Sequence, residues 1–164
     1  MLAGDIRSDD NWPSGRALVQ AATYNERENI AALIARVLAV SPELQLLIID
    51  DDSPDGTGEM ALQESRTNPR LHVLIRRGRR GLGSAILEGF LVAKQRGFEI
   101  AINMDGDFSH DPLDIPRLLA AMDPVGGRPA DVVLGSRRVP GGSVVGWPLS
   151  RHLASWLVCW FTRF

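Results

Sequence analysis

Apolar positions along this chain change their period in a regular way. Short runs in which almost every residue is apolar alternate with longer stretches where apolar residues recur every three or four positions. The runs at 17–22, 45–50, 71–75, 98–104 and 131–135 read as strands. The stretches at 26–40, 58–66, 82–96 and 113–122 read as helices. The first helix has the clearest pattern. Ile30, Leu33, Ile34, Val37 and Leu38 form one stripe, Asn25 with Glu28 three residues on reads as a capping box, and Pro42 helps to end it. Leu82, Ala85, Ile86, Gly89, Phe90 and Ala93 make a comparable stripe.

Strand–helix alternation of this kind predicts an α/β fold, a mostly parallel central sheet with helices on both faces. Ligands of doubly wound sheets bind at the carboxyl ends of the strands, where strand order reverses. The acidic residues of this chain gather there. They occur in Tyr24-Asn25-Glu26, in Asp50-Asp51-Asp52-Ser53-Pro54-Asp55 and in Asp105-Gly106-Asp107. A 3-2-1-4 strand order makes these three loops neighbours on one crevice.

Asp105 and Asp107 close a buried-looking run two residues apart, with Gly106 leaving room for close approach of backbone or substrate. Paired carboxylates repel unless a cation compensates them. Mg²⁺ or Mn²⁺ suits such oxygens and commonly shares them with a diphosphate. The competing readings are a solvated strand-to-helix turn and a calcium loop. The calcium loop fits poorly, because its sixth and twelfth positions would be His110 and Pro116.

Asp51 reads as a carboxylate for a base or ribose, and Asp55-Gly56-Thr57 as a turn that caps the next helix. Asp50 and Asp52 are better explained by structure and solubility. Gly81-Leu82-Gly83 falls short of a dinucleotide fingerprint. Its neighbours Arg76, Arg77, Arg79 and Arg80 read equally as phosphate-facing or as a solvated basic loop. Arg137, after Gly135-Ser136, is a candidate for an anionic substrate group. On the C-terminal helix Arg151, Ser155 and Thr162 share a face. Leu149, Leu153, Trp156, Leu157, Trp160 and Phe164 fall mostly on another. That pattern is either an ordinary amphipathic helix or one that grips a phosphate beside a lipid surface.

Composition narrows the class. The chain has 164 residues, 45% of them hydrophobic, enough for one domain with a core. A net charge of −2 gives no reason to expect nucleic acid as a partner. One cysteine, Cys159, excludes an intrachain disulfide and a thiolate metal cage and favours a reducing compartment. No apolar run is long enough to span a bilayer, and residues 1–16 read as a mobile tail rather than a signal peptide.

Several segments occur in a telling order. They are Ala22-Thr23-Tyr24-Asn25-Glu26, Ile49-Asp50-Asp51-Asp52-Ser53-Pro54-Asp55-Gly56-Thr57, Gly81-Leu82-Gly83, Met104-Asp105-Gly106-Asp107-Phe108-Ser109-His110-Asp111-Pro112, Gly135-Ser136-Arg137 and Gly146-Trp147-Pro148. Together they resemble the polyprenyl (dolichyl) phosphate mannosyltransferases, inverting family 2 glycosyltransferases with the Rossmann-like GT-A fold. The resemblance implies mannose transfer from GDP-mannose to a polyprenyl phosphate with Mg²⁺ or Mn²⁺, peripherally at the cytoplasmic membrane face.

Carried over by position, Tyr24, Glu26, Ile49, Asp51, Asp105, Gly106 and Asp107 resemble the nucleotide-sugar contacts. Asp105, Asp107 and Ser109 resemble the metal set, and Asp105, Asp107 and Arg137 the catalytic residues. Arg137, Arg151 and Ser155 resemble the acceptor-phosphate site. The implied organisation is a tail (1–16), a nucleotide-sugar-binding domain (17–148) and an amphipathic helix (149–164) that begins an acceptor region extending past Phe164.

Two alternatives remain: within the class, a UDP-glucose-using transferase, and as a different class, a truncated nucleotide-sugar-binding fragment without turnover. A phosphohydrolase with Asp105 as nucleophile is a poor fit, since such enzymes carry Asp-x-Asp on an early strand.

Overall fold

The computed structural model describes residues 5–6, 15–123, 128–136, 139 and 148–161. The chain divides into two compact units, Met1–Arg117 and Leu118–Phe164. The first holds a five-stranded sheet. Its strands are β1 (Asp5–Ile6), β2 (Ala17–Thr23), β3 (Gln45–Asp50), β4 (Leu71–Ile75) and β5 (Ile100–Asp105), in the order β1-β4-β3-β2-β5. β2 to β5 run parallel, so the predicted 3-2-1-4 order is the one observed. β1 pairs antiparallel with β4, Asp5 opposite Ile75 and Ile6 opposite Leu74. Part of the expected tail is therefore an edge strand.

Helices α1 (Arg27–Val40), α2 (Thr57–Ser65) and α3 (Leu82–Gln95) connect the parallel strands. Side chains alternate across each strand. Leu18, Leu47, Ile49 and Leu74 therefore face one way and pack on Ala85, Val92 and Ala93 of α3. On the opposite face, Gly58 of α2 sits so close to the sheet that a Cβ there would lie 2.7 Å from Asp50 Oδ1 and 3.2 Å from Ile75 Cδ1. The α1 stripe, Ile30, Leu33, Ile34, Val37 and Leu38, is buried as its spacing predicts. Each such side chain contributes roughly 1.5–3 kcal/mol through removal from water.

α3 departs from its predicted stripe. Its buried residues are Ala85, Glu88, Gly89, Val92 and Ala93, while Leu82 and Phe90 are exposed. The helix turns Ala85, Gly89 and Ala93 to the sheet in place of its larger apolar residues. A Cβ on Gly89 would collide with Gln20 Oε1 and lie 2.6 Å from Ile49 Cδ1, so a larger residue here would force those side chains to move.

A short 3₁₀ turn (Pro112–Asp114) leads into α4 (Ile115–Met122), which runs from the first unit into the second. The second unit holds α5 (Leu149–Phe161). The strand expected at 131–135 is not formed. Its apolar core is only Val132-Val133-Leu134, and Val132 and Leu134 are 72% and 83% exposed, so the run lacks the covering layer that a strand needs.

Candidate active site

The loop after β3 is built as a clip on the loop after β2. Asp50 ends β3 fully buried. Its Oδ2 accepts from the hydroxyls of Thr23 (3.0 Å) and Ser53 (2.6 Å), and its Oδ1 from the Ser53 N–H (2.9 Å). Burial raises its carboxyl pKa, against the pull of those bonds. Ser53 Oγ in turn accepts from Asn25 N–H (3.0 Å), Thr57 Oγ1 from Glu26 N–H (3.0 Å), and Asp55 Oδ2 from Arg27 N–H (3.1 Å).

This clip replaces the capping box expected at Asn25. Asn25 takes a left-handed backbone (φ 59°), and the cap position falls on Glu26, whose side chain makes no capping bond. Three side chains of a neighbouring loop instead take the N–H groups of Asn25, Glu26 and Arg27 at the entry to the helix. Asp50 and Asp55 thus have structural work, as the sequence reading gave them.

Asp51, the next residue, is tied to a different set. Its Oδ2 accepts from Gly81 N–H at 2.8 Å, and its Oδ1 lies 3.2 Å from Arg76 Nη1. Arg76 is neither phosphate-facing nor part of a solvated loop. It is 1% exposed, with Nε 3.2 Å from Glu88 Oε2 and Nη2 donating to Ser84 Oγ at 2.6 Å. Arg79 Nη1 reaches the same Glu88 oxygen at 3.2 Å. The Asp51, Arg76 and Glu88 atoms at the two buried contacts lack hydrogen-bond alignment, so those contacts are ionic.

Charges buried this deeply require partners of opposite sign. Here two carboxylates meet two guanidiniums. Arg80 stacks on Tyr24, its guanidinium carbon 4.7 Å from the ring centre. Sequence reasoning missed Glu88. The available signal was a charged residue one turn after Ala85 and one before Val92, both on the buried face.

The end of β5 completes the edge. Asp105 pairs in register with Ala22, beside the β2 loop. A Cβ on Gly106 would lie 3.1 Å from Thr23 Cγ2 and 3.7 Å from Glu26 Cγ, so the glycine lets the two loops close up. Asp107 Oδ1 accepts from Ser109 N–H at 2.9 Å. That bond first, helped by the Ser109 hydroxyl, holds the Asp107 carboxyl below the usual carboxylate range. Ser109 thus orients Asp107. Phe108 adopts φ 61°, with the Arg36 guanidinium 5.1 Å over its ring. His110 Nδ1 accepts from Asp105 N–H at 3.0 Å.

Among the described residues no group of three or more His, Cys, Asp or Glu would hold a metal by itself. Asp105 and Asp107 offer two carboxylates with solvent access on one loop. That donor set fits Mg²⁺ or Mn²⁺, which takes one or two carboxylates and completes its shell with water and substrate phosphate.

Tyr24, Glu26, Asp51, Asp105, Gly106, Asp107 and Ser109 therefore all lie on the loops at the carboxyl edge of β2, β3 and β5. Ile49 does not join them. Its side chain is fully buried among Leu18, Leu47 and Leu74, so it contributes to the core instead. Arg137 lies outside the described residues, as do Thr162 and Phe164. Arg151 and Ser155 stand four residues apart on α5, on one helical face of the second unit. Leu149, Leu153, Trp156, Leu157 and Trp160 are exposed on that helix. Among the described residues no helix is long and apolar enough to cross a membrane.

Comparison with known proteins adds four findings about sequence. The profile of Glycosyl transferase family 2 matches residues 19–164. The chain is 45% identical over 141 residues to the undecaprenyl-phosphate mannosyltransferase of Micrococcus luteus, covering 86% of this chain and 56% of that protein. It is 42% identical over 153 residues to the polyprenol monophosphomannose synthase of Mycolicibacterium smegmatis, covering 93% and 56%. The dolichol-phosphate mannosyltransferase of Pyrococcus furiosus is 38% identical over 135 residues, covering 81% and 36%. The chain thus spans about half the length, or less, of these relatives.

Proposed function

Because the chain belongs to glycosyl transferase family 2, we propose that it carries the donor site of a transferase moving mannose from GDP-mannose to a polyprenyl phosphate. The observation that carries this reading is the convergence of Tyr24, Glu26, Asp51, Asp105 and Asp107 on neighbouring loops at one edge of the sheet. The names of the relatives at 42–45% identity supply the sugar and the lipid phosphate.

On this reading the Asp51 carboxylate accepts from N–H groups of the base. Tyr24 and Glu26 border the same nucleotide. Asp105 and Asp107 would hold a divalent cation, which when bound supplies charge stabilisation to the departing diphosphate. Arg137, Arg151 and Ser155 receive the acceptor phosphate.

That phosphate is already anionic at neutral pH and needs no general base. One of its oxygens forms the new bond to the anomeric carbon while the bond to GDP breaks on the opposite side, inverting the centre. The protein's share is alignment of two anionic substrates and offset of their repulsion. The exposed apolar face of α5 fits peripheral work at the cytoplasmic face of a membrane.

The test is transfer of labelled mannose from GDP-mannose to a polyprenyl phosphate, with and without Mn²⁺, with UDP-glucose in parallel. Metal-dependent mannolipid is expected, falling at least about 100-fold in Asp107→Ala. Glucolipid in its place would replace the donor assignment. GDP binding without product would reduce the chain to a donor-binding piece.

A further inference from the structure

We infer that Glu88, deep in α3, is a positioning residue of the donor site, acting on the base-binding Asp51 through Arg76. The inference rests on the donor reading of Asp51 given above. Glu88 is 4% exposed on a helix whose other buried residues are Ala85, Gly89, Val92 and Ala93. A carboxylate there is costly unless it is matched, and the match is Arg76.

Arg76 has its donors divided. Nε faces Glu88, Nη2 donates to Ser84 Oγ, and Nη1 lies near the Gly81 carbonyl (3.4 Å) and Asp51 Oδ1 (3.2 Å). Asp51 therefore meets the guanidinium through one nitrogen only. A guanidinium left alone with a carboxylate prefers a two-pronged pairing that occupies both oxygens. The guanidinium has two such forks, Nε with Nη2 and Nη1 with Nη2, and Glu88 on Nε together with Ser84 Oγ on Nη2 denies both to Asp51. Asp51 is thereby held in place, with Oδ1 buried against Arg76 and the remaining lone pair for a ligand on Oδ2.

An acceptor-only carboxylate of this kind selects bases with N–H groups on the recognised edge. Guanine and uracil have them. Gly81 N–H on Asp51 Oδ2 sets the second oxygen in the same manner, so the loop at 76–81 serves as the frame for Asp51. Arg79, on the outer side, ties that loop to Glu88 as well.

Glu88 is expected to act on the base and not on the diphosphate, which separates positioning from general support of the fold. Binding of GDP, UDP and pyrophosphate, each with Mn²⁺, is measured by calorimetry on the whole chain and on Glu88→Gln. Affinity for the nucleotide that the wild type binds is expected to fall about tenfold, because Arg76 loses the ionic contact that sets it against Asp51. Affinity for pyrophosphate is expected to stay as it was.

Equal nucleotide binding by Glu88→Gln and wild type overturns the inference. So does a parallel loss of nucleotide and pyrophosphate. Should Glu88→Gln not fold, Ser84→Ala at an exposed position releases Nη2 of the same arginine. It is then expected to weaken nucleotide binding a few-fold with pyrophosphate unchanged, and wild-type behaviour overturns the inference. A wild type that binds pyrophosphate but neither nucleotide overturns the donor reading itself, and the inference with it.

Discussion

His72 lies on β4 with Nε2 3.0 Å from Gln45 Oε1, and it is buried. Burial, with the nearby charge of Arg96, pushes its pKa down to about 4 from the ordinary 6.5. The folded state therefore holds a neutral imidazole where the unfolded chain takes up a proton. A depressed histidine contributes stability that is complete above pH 6.5 and lost as pH falls toward about 4. The loss amounts to at most about 3 kcal/mol, from 1.36 kcal/mol per pKa unit. Asp50, raised by burial, works in the opposite sense, and its contribution is lost as pH rises through its own pKa. Urea unfolding at pH 7.0 and pH 4.5 checks the balance. The wild type is expected to lose more stability between the two than His72→Gln. Equal losses would mean that His72 is protonated in the fold.

The elements carry a different lesson in the clip of the β3 loop on the start of α1. Asp55 Oδ1 accepts from the Thr57 N–H (3.0 Å) and hydroxyl (2.6 Å), while Oδ2 accepts from Arg27 N–H. Slight burial pushes its carboxyl up, but the Thr57 and Arg27 bonds outweigh this and hold it below the usual range. Its contribution is therefore present at neutral pH and lost in acid. Asp55→Ala is expected to cost about 1–2 kcal/mol in urea unfolding, the range of a lost helix cap. Because the clip also fixes Tyr24 and Glu26, the donor KM should rise several-fold while kcat at saturation holds. An unchanged KM would detach the clip from the site.

The same clip marks the limit of reading this fold from sequence. The α1 stripe and the acidic strand ends were legible because both depend on local period and on sheet topology. The cap at Asn25 was not legible, because side chains from residues 53–57 outcompete a local one. Glu88 was hidden for a related reason. Its partner Arg76 lies on another element, and only that pairing makes a carboxylate tolerable on a buried helix face. The run at 131–135 failed as a strand because its apolar residues Val132 and Leu134 stay exposed and gain nothing from pairing there.

Across the whole chain the candidate residues divide between units. Those assigned to the donor lie in Met1–Arg117, and Arg151 and Ser155 lie on α5 in Leu118–Phe164. If the second unit serves the acceptor, a change there should leave the donor untouched, since no donor residue belongs to it. Arg151→Ala removes one charge-assisted contact to a phosphate, so the KM for polyprenyl phosphate is expected to rise about tenfold. Calorimetric affinity for GDP with Mn²⁺ should not move. Arg151→Lys separates charge from shape. It keeps the cation but loses the planar fork, so a KM between those of wild type and Arg151→Ala points to two-pronged phosphate binding. A lysine variant equal to wild type would reduce Arg151 to a point charge. A fall in GDP affinity in either variant would contradict the division, because the donor would then depend on a helix that carries none of its residues.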